Sequence, residues 1–221
     1  MKKTLICIGG GEIRSKETLQ IDEQIALMAK TRAGERRAVS VFVGTASHDS
    51  LPYFNSFRKT YTSHFDIKAD LALLTKKDIP MDKIQGKLEN ADLIYIGGGN
   101  TLFMLDVWRK SGFLDMLLDA YNRGVIIAGL SAGAICWFEK MYTDSAEGSK
   151  YQVEDGLGIL KGIMSPHYDD REEFDSIAKD YPLAYAVENK SAIVFEDGVP
   201  KKALTSGGNS YLFKNGERVV L

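Results

Sequence analysis

One arrangement recurs along this chain and limits what it can fold into: a short apolar run, a glycine-rich turn, then a stretch with helical patterning. It appears at "KTLICIGGGE", "RAVSVFVGTAS", "ADLIYIGGGNT" and "VIIAGLSAGA". Apolar runs without alternation suit strands buried on both faces, and helical stretches between them suit crossover connections. The pattern predicts an α/β fold with a mostly parallel sheet covered by helices on both faces. "SKETLQIDEQIALMAKTRAG" predicts a helix stopped by Gly34, and "PYFNSFRKTYTSHF" predicts one with Pro52 in its first turn. "MDKIQGKLEN", "NTLFMLDVWRKSG" and "FLDMLLDAYNRG" predict three more, with a further strand at "DIKADLALL" and a helix over "SAGAICWFEK".

After about Tyr142 the texture changes. "TDSAEGSKYQVEDGLG" is polar and predicts a loop, and "GIMSPHYDDREEFDSIAKDYP" predicts a strand, a loop carrying His167 and a helix from near Asp170. The remaining tail holds short β-runs separated by Asn-Lys, Asp-Gly, Gly-Gly and Asn-Gly, which are hairpin signals. Antiparallel strands are therefore expected at the C-terminal end. With no repeat or low-complexity tract, a single α/β domain over residues 1–221 is expected.

Composition narrows the partners. Lys and Arg total 28 against 30 Asp and Glu, so the formal charge of -2 creates no overall field favouring nucleic acid or an anionic membrane. The apolar run in "MKKTLICIGGGE" is too short for a signal peptide, and none approaches the roughly 18 residues of a membrane span. Cys7 and Cys136 lie in apolar segments and read as buried thiols, too few for a disulfide framework or a zinc site. A cytoplasmic protein without a metal is expected.

In an open parallel sheet, sites form beyond the carboxyl ends of the strands, so residues directly after strands carry the most weight. Four segments qualify: Gly9 to Glu12, Gly44 to Asp49, Gly97 to Thr101 and Gly129 to Ala134. The last, "GLSAGA", has the Gly-x-Ser-x-Gly spacing in which a serine projects from a tight strand-to-helix turn beside free backbone N–H groups. Ser131 is accordingly read as a nucleophile, the competing reading being a helix N-cap. Serine needs a base. Of His48, His64 and His167, His167 follows a predicted strand one element downstream of Ser131 and is the candidate. For the group that orients it, Asp144, Glu147, Glu154, Asp155, Asp169, Asp170 and Glu188 are all available. The glycines of "GGGNT" lack phosphate-loop spacing and instead suit a second oxyanion donor, Gly98 or Gly99, alongside Ala132. Asn100 and Thr101, which follow them, are carried as substrate-binding candidates.

"IYIGGGNTLFML", "IIAGLSAGAICWF" and "SPHYDDREEF", in this order and preceded by "LICIGGGE", resemble the peptidase E family of serine peptidases, which includes aspartyl dipeptidases and cyanophycinases. The resemblance implies a three-layer α/β sandwich similar to class I glutamine amidotransferases, with serine in place of their cysteine. It implies cleavage of short peptides at an N-terminal or branched aspartyl residue, with no cofactor. Ser131 and His167 would be nucleophile and base, with Gly98 or Gly99 and Ala132 as the oxyanion hole. The family's third member falls where this chain has "AVENKSAIV"; Glu188 is preferred over Asn189, Asp144 and Glu147, because an anion steadies an imidazolium better than an amide. Arg171 matches an arginine that binds the substrate's aspartyl side chain. An α/β-hydrolase esterase and a non-catalytic small-molecule or protein-binding module are the competing functions, and a homodimer is the expected form of any self-association.

Overall fold

The computed structural model describes residues 2–76, 78, 80–146, 150–171 and 173–221. Strands β1 (Thr4–Ile8), β2 (Val39–Val43), β3 (Lys68–Ala72), β4 (Leu93–Ile96) and β5 (Ile126–Leu130) run parallel in the spatial order β1-β5-β4-β2-β3. Helices α1 (Leu19–Ala33), α2 (Leu51–Ser63), α3 (Met81–Glu89), α4 (Thr101–Ser111) and α5 (Phe113–Asn122) connect them. Because side chains alternate across a strand, Ile6 and Ile8 face one cluster with Ile21 and Ile25 of α1 and Phe57 and Tyr61 of α2. Leu5 and Cys7 face the opposite cluster, with Met104 and Trp108 of α4 and Phe113 and Leu117 of α5. Asn100 caps α4 by accepting from the Phe103 N–H at 2.8 Å, and Gly112 ends it at φ 75°.

The chain then leaves this sheet. A short helix α6 (Ala132–Ile135) leads into β6 (Phe138–Thr143), β7 (Gln152–Asp155), β8 (Leu160–Ser165), α7 (Phe174–Ala178) and β9 (Leu183–Val187). It returns to pair β10 (Ser191–Glu196) antiparallel with β1 and β11 (Val199–Thr205) with β10, then crosses again to β12 (Ser210–Lys214) and β13 (Glu217–Val220). The result is a mixed α/β fold with a seven-stranded sheet, β11-β10-β1-β5-β4-β2-β3, and a six-stranded one, β13-β12-β9-β8-β6-β7. Phe138, Tyr185 and Phe195 pack ring against ring where the sheets meet.

Four local expectations are corrected. The helix read over "SAGAICWFEK" stops at Ile135, and Phe138 begins a strand, because burial of its ring against Tyr185 and Phe195 outweighs helical patterning. The polar "QVED" read as loop is strand β7, an outer strand whose side chains are mostly exposed. The helix expected from near Asp170 begins instead at Phe174, after a 3-10 turn at Tyr168–Asp170. Asp197-Gly198 and Asn215-Gly216 do form hairpins, all four residues at positive φ. Asn189-Lys190 does not: it is the crossing between the two sheets, since β9 pairs with β12 and β10 with β1.

Asp22 of α1 is buried among apolar residues, where it accepts from Thr18 Oγ1 at 2.7 Å and Tyr61 Oη at 2.9 Å. Burial pushes its carboxyl up to about 6, partly offset by those two hydrogen bonds. A folded-state value above the unfolded one of about 3.9 means that Asp22 favours the folded state below that pH, and that this contribution is lost as pH rises through 6. Its size is on the order of 3 kcal/mol. Relative to Asp22→Asn, the wild-type melting temperature should therefore fall by roughly 5–10 °C between pH 4 and pH 7, as read by calorimetry.

Candidate active site

The turn after β5 places Ser131 at φ 51° and ψ -106°, with its N–H donating to the Ile8 carbonyl at 2.9 Å. This is sparsely populated backbone for a residue with a side chain, and it turns Oγ away from the helix it precedes. Ser131 makes no side-chain capping bond to α6. Its Oγ lies 2.9 Å from His167 Nε2. His167 is itself at φ 50°, just beyond β8, with its N–H donating to the Gly9 carbonyl at 3.1 Å. A serine, placed by the first sheet, and a histidine, placed by the second, thus meet at the carboxyl ends of β1 and β5.

His167 Nδ1 meets Asn189, not Glu188: the distance to Asn189 Oδ1 is 2.7 Å. Glu188, expected as the orienting acid, is turned toward β12, where Oε2 accepts from the Asn209 N–H at 2.8 Å and Oε1 from Tyr211 Oη at 2.8 Å. Glu188 still follows the edge of β9, its N–H donating to the Asn209 carbonyl at 3.0 Å, whereas Asn189 opens the turn that leaves for β10. Asn189 in turn donates twice to Asp169, from its backbone N to Oδ1 at 2.8 Å and from Nδ2 to Oδ2 at 2.6 Å. Partial burial would raise the Asp169 carboxyl, but the Asn189 N–H groups and the neighbouring His167 outweigh it and hold it below its ordinary value. An ionised carboxylate only accepts, so the Asn189 amide must present its NH₂ to Asp169 and its oxygen to His167. Nδ1 then carries the proton, and Nε2 is free to accept from Ser131.

Two clefts flank this pair. One, of about 620 Å³, is lined by Glu12, Arg14, Tyr53, Gly98 and Ser131 among others. The other, of about 660 Å³, is lined by Asn100, Asp144, Tyr151, His167 and Arg171. Arg171 is buried, and its guanidinium donates to Tyr151 Oη at 2.7 Å while lying 3.8 Å from that ring's centroid. Burial pulls its pKa below the ordinary arginine value. Among the described residues it forms no ion pair. Asp144 lines the same cleft and accepts from that same Tyr151 Oη at 3.1 Å, so the tyrosine hydroxyl bridges the two charged groups.

The remaining candidates divide. Gly98 and Gly99 both line the first cleft, but the Gly98 N–H donates to Tyr53 Oη at 3.3 Å. Ala132 opens α6, so its N–H has no partner within that helix. Asn100 lines the second cleft while capping α4. Thr101 does not line it among the described residues: it is buried, and its N–H donates to Ser145 Oγ at 2.9 Å. His48 packs on the Phe103 ring and His64 beside Phe65. Glu154 and Asp155 lie on β7 and bond to Gln152 and Lys140. Glu147 and the Asp170 side chain lie outside what the structure describes. Among the described residues, no group of three His, Cys, Asp or Glu side chains could hold a metal ion, and no helix is long and apolar enough to cross a membrane.

The family model described as Peptidase family S51 matches residues 5–201. The chain belongs to that family. It is an enzyme, a serine-type peptidase, and the resemblance to peptidase E holds. An uncharacterized peptidase, YgaJ, of Bacillus subtilis strain 168 is 34% identical over 173 residues, covering 78% of this chain and 71% of its own. Peptidase E of Escherichia coli is 43% identical over 47 residues, 21% of this chain and 20% of its own. Among solved structures, a peptidase from an acI-B1 actinobacterium superposes with a TM-score of 0.66 at 17% identity, covering 100% of this chain and 98% of that one. A candidate peptidase E protein of Listeria monocytogenes EGD-e superposes with a TM-score of 0.67 at 21% identity, covering 93% and 98%.

The first glycine motif serves this site from beneath. A β-carbon on Gly10 would fall 2.1 Å from Asn189 Oδ1 and 2.3 Å from His167 Nδ1. The Gly10→Ala variant should therefore fold yet lose roughly 100-fold in kcat, because a displacement of about 1 Å is enough to disturb the reacting geometry. Circular dichroism and steady-state kinetics measured together would check both halves.

Proposed function

We propose that this peptidase works by acyl transfer through Ser131, His167 and Asn189, and that it cleaves short peptides beginning with an acidic residue. The observation that carries the reading is the 2.9 Å approach of His167 Nε2 to a serine Oγ that caps no helix. As Oγ attacks the peptide carbonyl carbon, its proton passes to Nε2, and the carbonyl electrons move onto oxygen. We assign the stabilisation of that oxyanion to the N–H groups of Ala132 and Gly99, since the Gly98 N–H donates to Tyr53. The proton on Nε2 then goes to the departing amine. Water repeats the sequence on the acyl-enzyme, with His167 again as base.

Asn189 takes the place expected of a carboxylate. Its oxygen orients the imidazole but, being neutral, steadies the imidazolium less. The elbow-like turn at Ser131 and the crossing of chain between sheets fit a class I glutamine amidotransferase-like arrangement in one unit of 221 residues. The order Ser131, His167, Asn189 differs from that of α/β-hydrolases, where the acid precedes the histidine, and this disfavours an esterase. Free buried Cys7 and Cys136 suit a reducing cytoplasm.

The second cleft supplies the substrate class. Arg171 is a buried cation whose fork suits a carboxylate, and Asp144, joined to it through the Tyr151 hydroxyl, suits an ammonium group. An N-terminal aspartate carries both charges. Removing a buried arginine's carboxylate partner is costly, so discrimination against neutral residues should be strong.

Ser131→Ala should lower kcat on an aspartyl p-nitroanilide by about 10³-fold or more while leaving the melting temperature unchanged. Undiminished turnover would overturn the reading. Arg171→Met should raise KM for that substrate at least about tenfold, while its advantage over the alanyl analogue disappears; an unchanged preference would remove the acidic-substrate assignment.

A further inference from the structure

The order of proton donors around His167 depends on a residue that touches neither the serine nor the histidine. We infer that Asp169 is a positioning residue for acyl transfer, acting through Asn189 to fix which nitrogen of His167 is the base. The inference rests on the serine peptidase reading above.

An asparagine is ambiguous as a partner for histidine. With its oxygen toward Nδ1 it selects the tautomer in which Nε2 accepts from Ser131; with its NH₂ toward Nδ1 it selects the one in which Nε2 is protonated and cannot act as a base. Nothing in Asn189 itself prefers the first. Asp169 removes the choice. Its Oδ2 takes the Asn189 NH₂ at 2.6 Å, and its Oδ1 takes the Asn189 backbone N–H at 2.8 Å, so the side chain is held at two points. A flipped amide would set its oxygen against a carboxylate oxygen, two acceptors with no proton between them. Asp169 also lies only two residues beyond His167, in the 3-10 turn of Tyr168–Asp170, so one short segment carries both the base and the group that sets its tautomer. Its negative charge lies one amide away from the imidazolium that forms in the transition state. A neutral third member and a charged group behind it divide between them what one carboxylate does elsewhere.

The arrangement is symmetric to exchange, which makes it testable. In Asp169→Asn the two amides face each other, the Asn189 orientation is no longer fixed and the charge is gone. In the double variant Asp169→Asn with Asn189→Asp, the carboxylate sits directly on Nδ1 and the new amide at 169 donates to it, restoring both charge and tautomer. The readout is the rate of Ser131 phosphonylation by a fluorophosphonate, separated into kinact and KI, which needs no knowledge of the substrate. Asp169→Asn should lose about 100-fold in kinact with KI within about twofold, and the double variant should recover at least about tenfold of that loss. A single variant with wild-type kinact overturns the inference, as does a folded double variant no faster than the single one, or a double variant that does not fold. Should the single variant not fold, the double variant decides alone, recovery of labelling supporting the inference. Labelling of wild type that persists in Ser131→Ala, or no labelling of wild type, instead sinks the serine reading and the inference with it.

Discussion

The close approach of chain at the carboxyl end of β1 fixes the geometry of the candidate site. Gly9 accepts the His167 N–H and donates to the Ser191 carbonyl, and Gly10 accepts the Lys190 N–H. Two consecutive residues without side chains thus fasten the loop after β8, the loop after β9 and the start of β10 to one strand end. The free space above Gly10 is filled by the His167 ring and the Asn189 amide. Close packing on the far side of Ser131 follows the same rule: a β-carbon on Gly129 would lie 1.9 Å from the Gly133 carbonyl oxygen. The flanking glycines of "GLSAG" are therefore demanded by backbone meeting backbone across the turn, and the strained Ser131 between them is held by the Ile8 carbonyl. Strain at Ser131 persists because both of its neighbours are pinned.

Most of the first sheet was readable in the sequence, and the second largely was not, for one physical reason. Strands β1, β4 and β5 are buried on both faces, so they appear as unbroken apolar runs ending in glycine. Strand β7 has exposed polar side chains, and β6 follows a helical turn by only two residues, so local composition is uninformative and tertiary contact decides. The site divides in the same way. Ser131 and His167 each follow a buried strand, where position alone marks them. Which of Glu188 and Asn189 meets His167 depends on contacts at the crossing, where Asn209 and Tyr211 hold the first and the second turns to the ring, and charge preference alone does not reveal this. Asp169 stood among seven candidate acids with nothing in the sequence to set it apart, because its role comes from a contact with Asn189, 20 residues away.

A neutral Asn189 changes how charge is handled at the site. A carboxylate directly on the imidazole stabilises imidazolium strongly but also makes the resting histidine easier to protonate, removing the base. With an amide interposed, the anion is farther from the ring, and Asp169, being partly exposed, is screened by water. The histidine's orientation is thereby fixed by hydrogen bonds to a neutral group, with the anion one residue farther out. Burial differs likewise in the second cleft, where Arg171 is buried over Tyr151 and Asp144 is exposed, so the cation is the stronger electrostatic element there.

Ser131 and His167 come from different sheets, and their separation is only as constant as the packing between those sheets. Phe138 of β6, Tyr185 of β9 and Phe195 of β10 form that contact, with ring centroids 5.2 to 5.6 Å apart. All three are fully buried, in the same cluster as Cys7, Ile127 and Ala132 beneath Ser131. Cores packed to crystal-like density transmit small displacements instead of absorbing them. A ring removed here would shift β8 and β9, and with them His167 and Asn189, relative to a serine that stays with β5. The aromatic seam is therefore coupled to the 2.9 Å contact on which the proposed proton transfer depends, even though none of its rings lines either cleft.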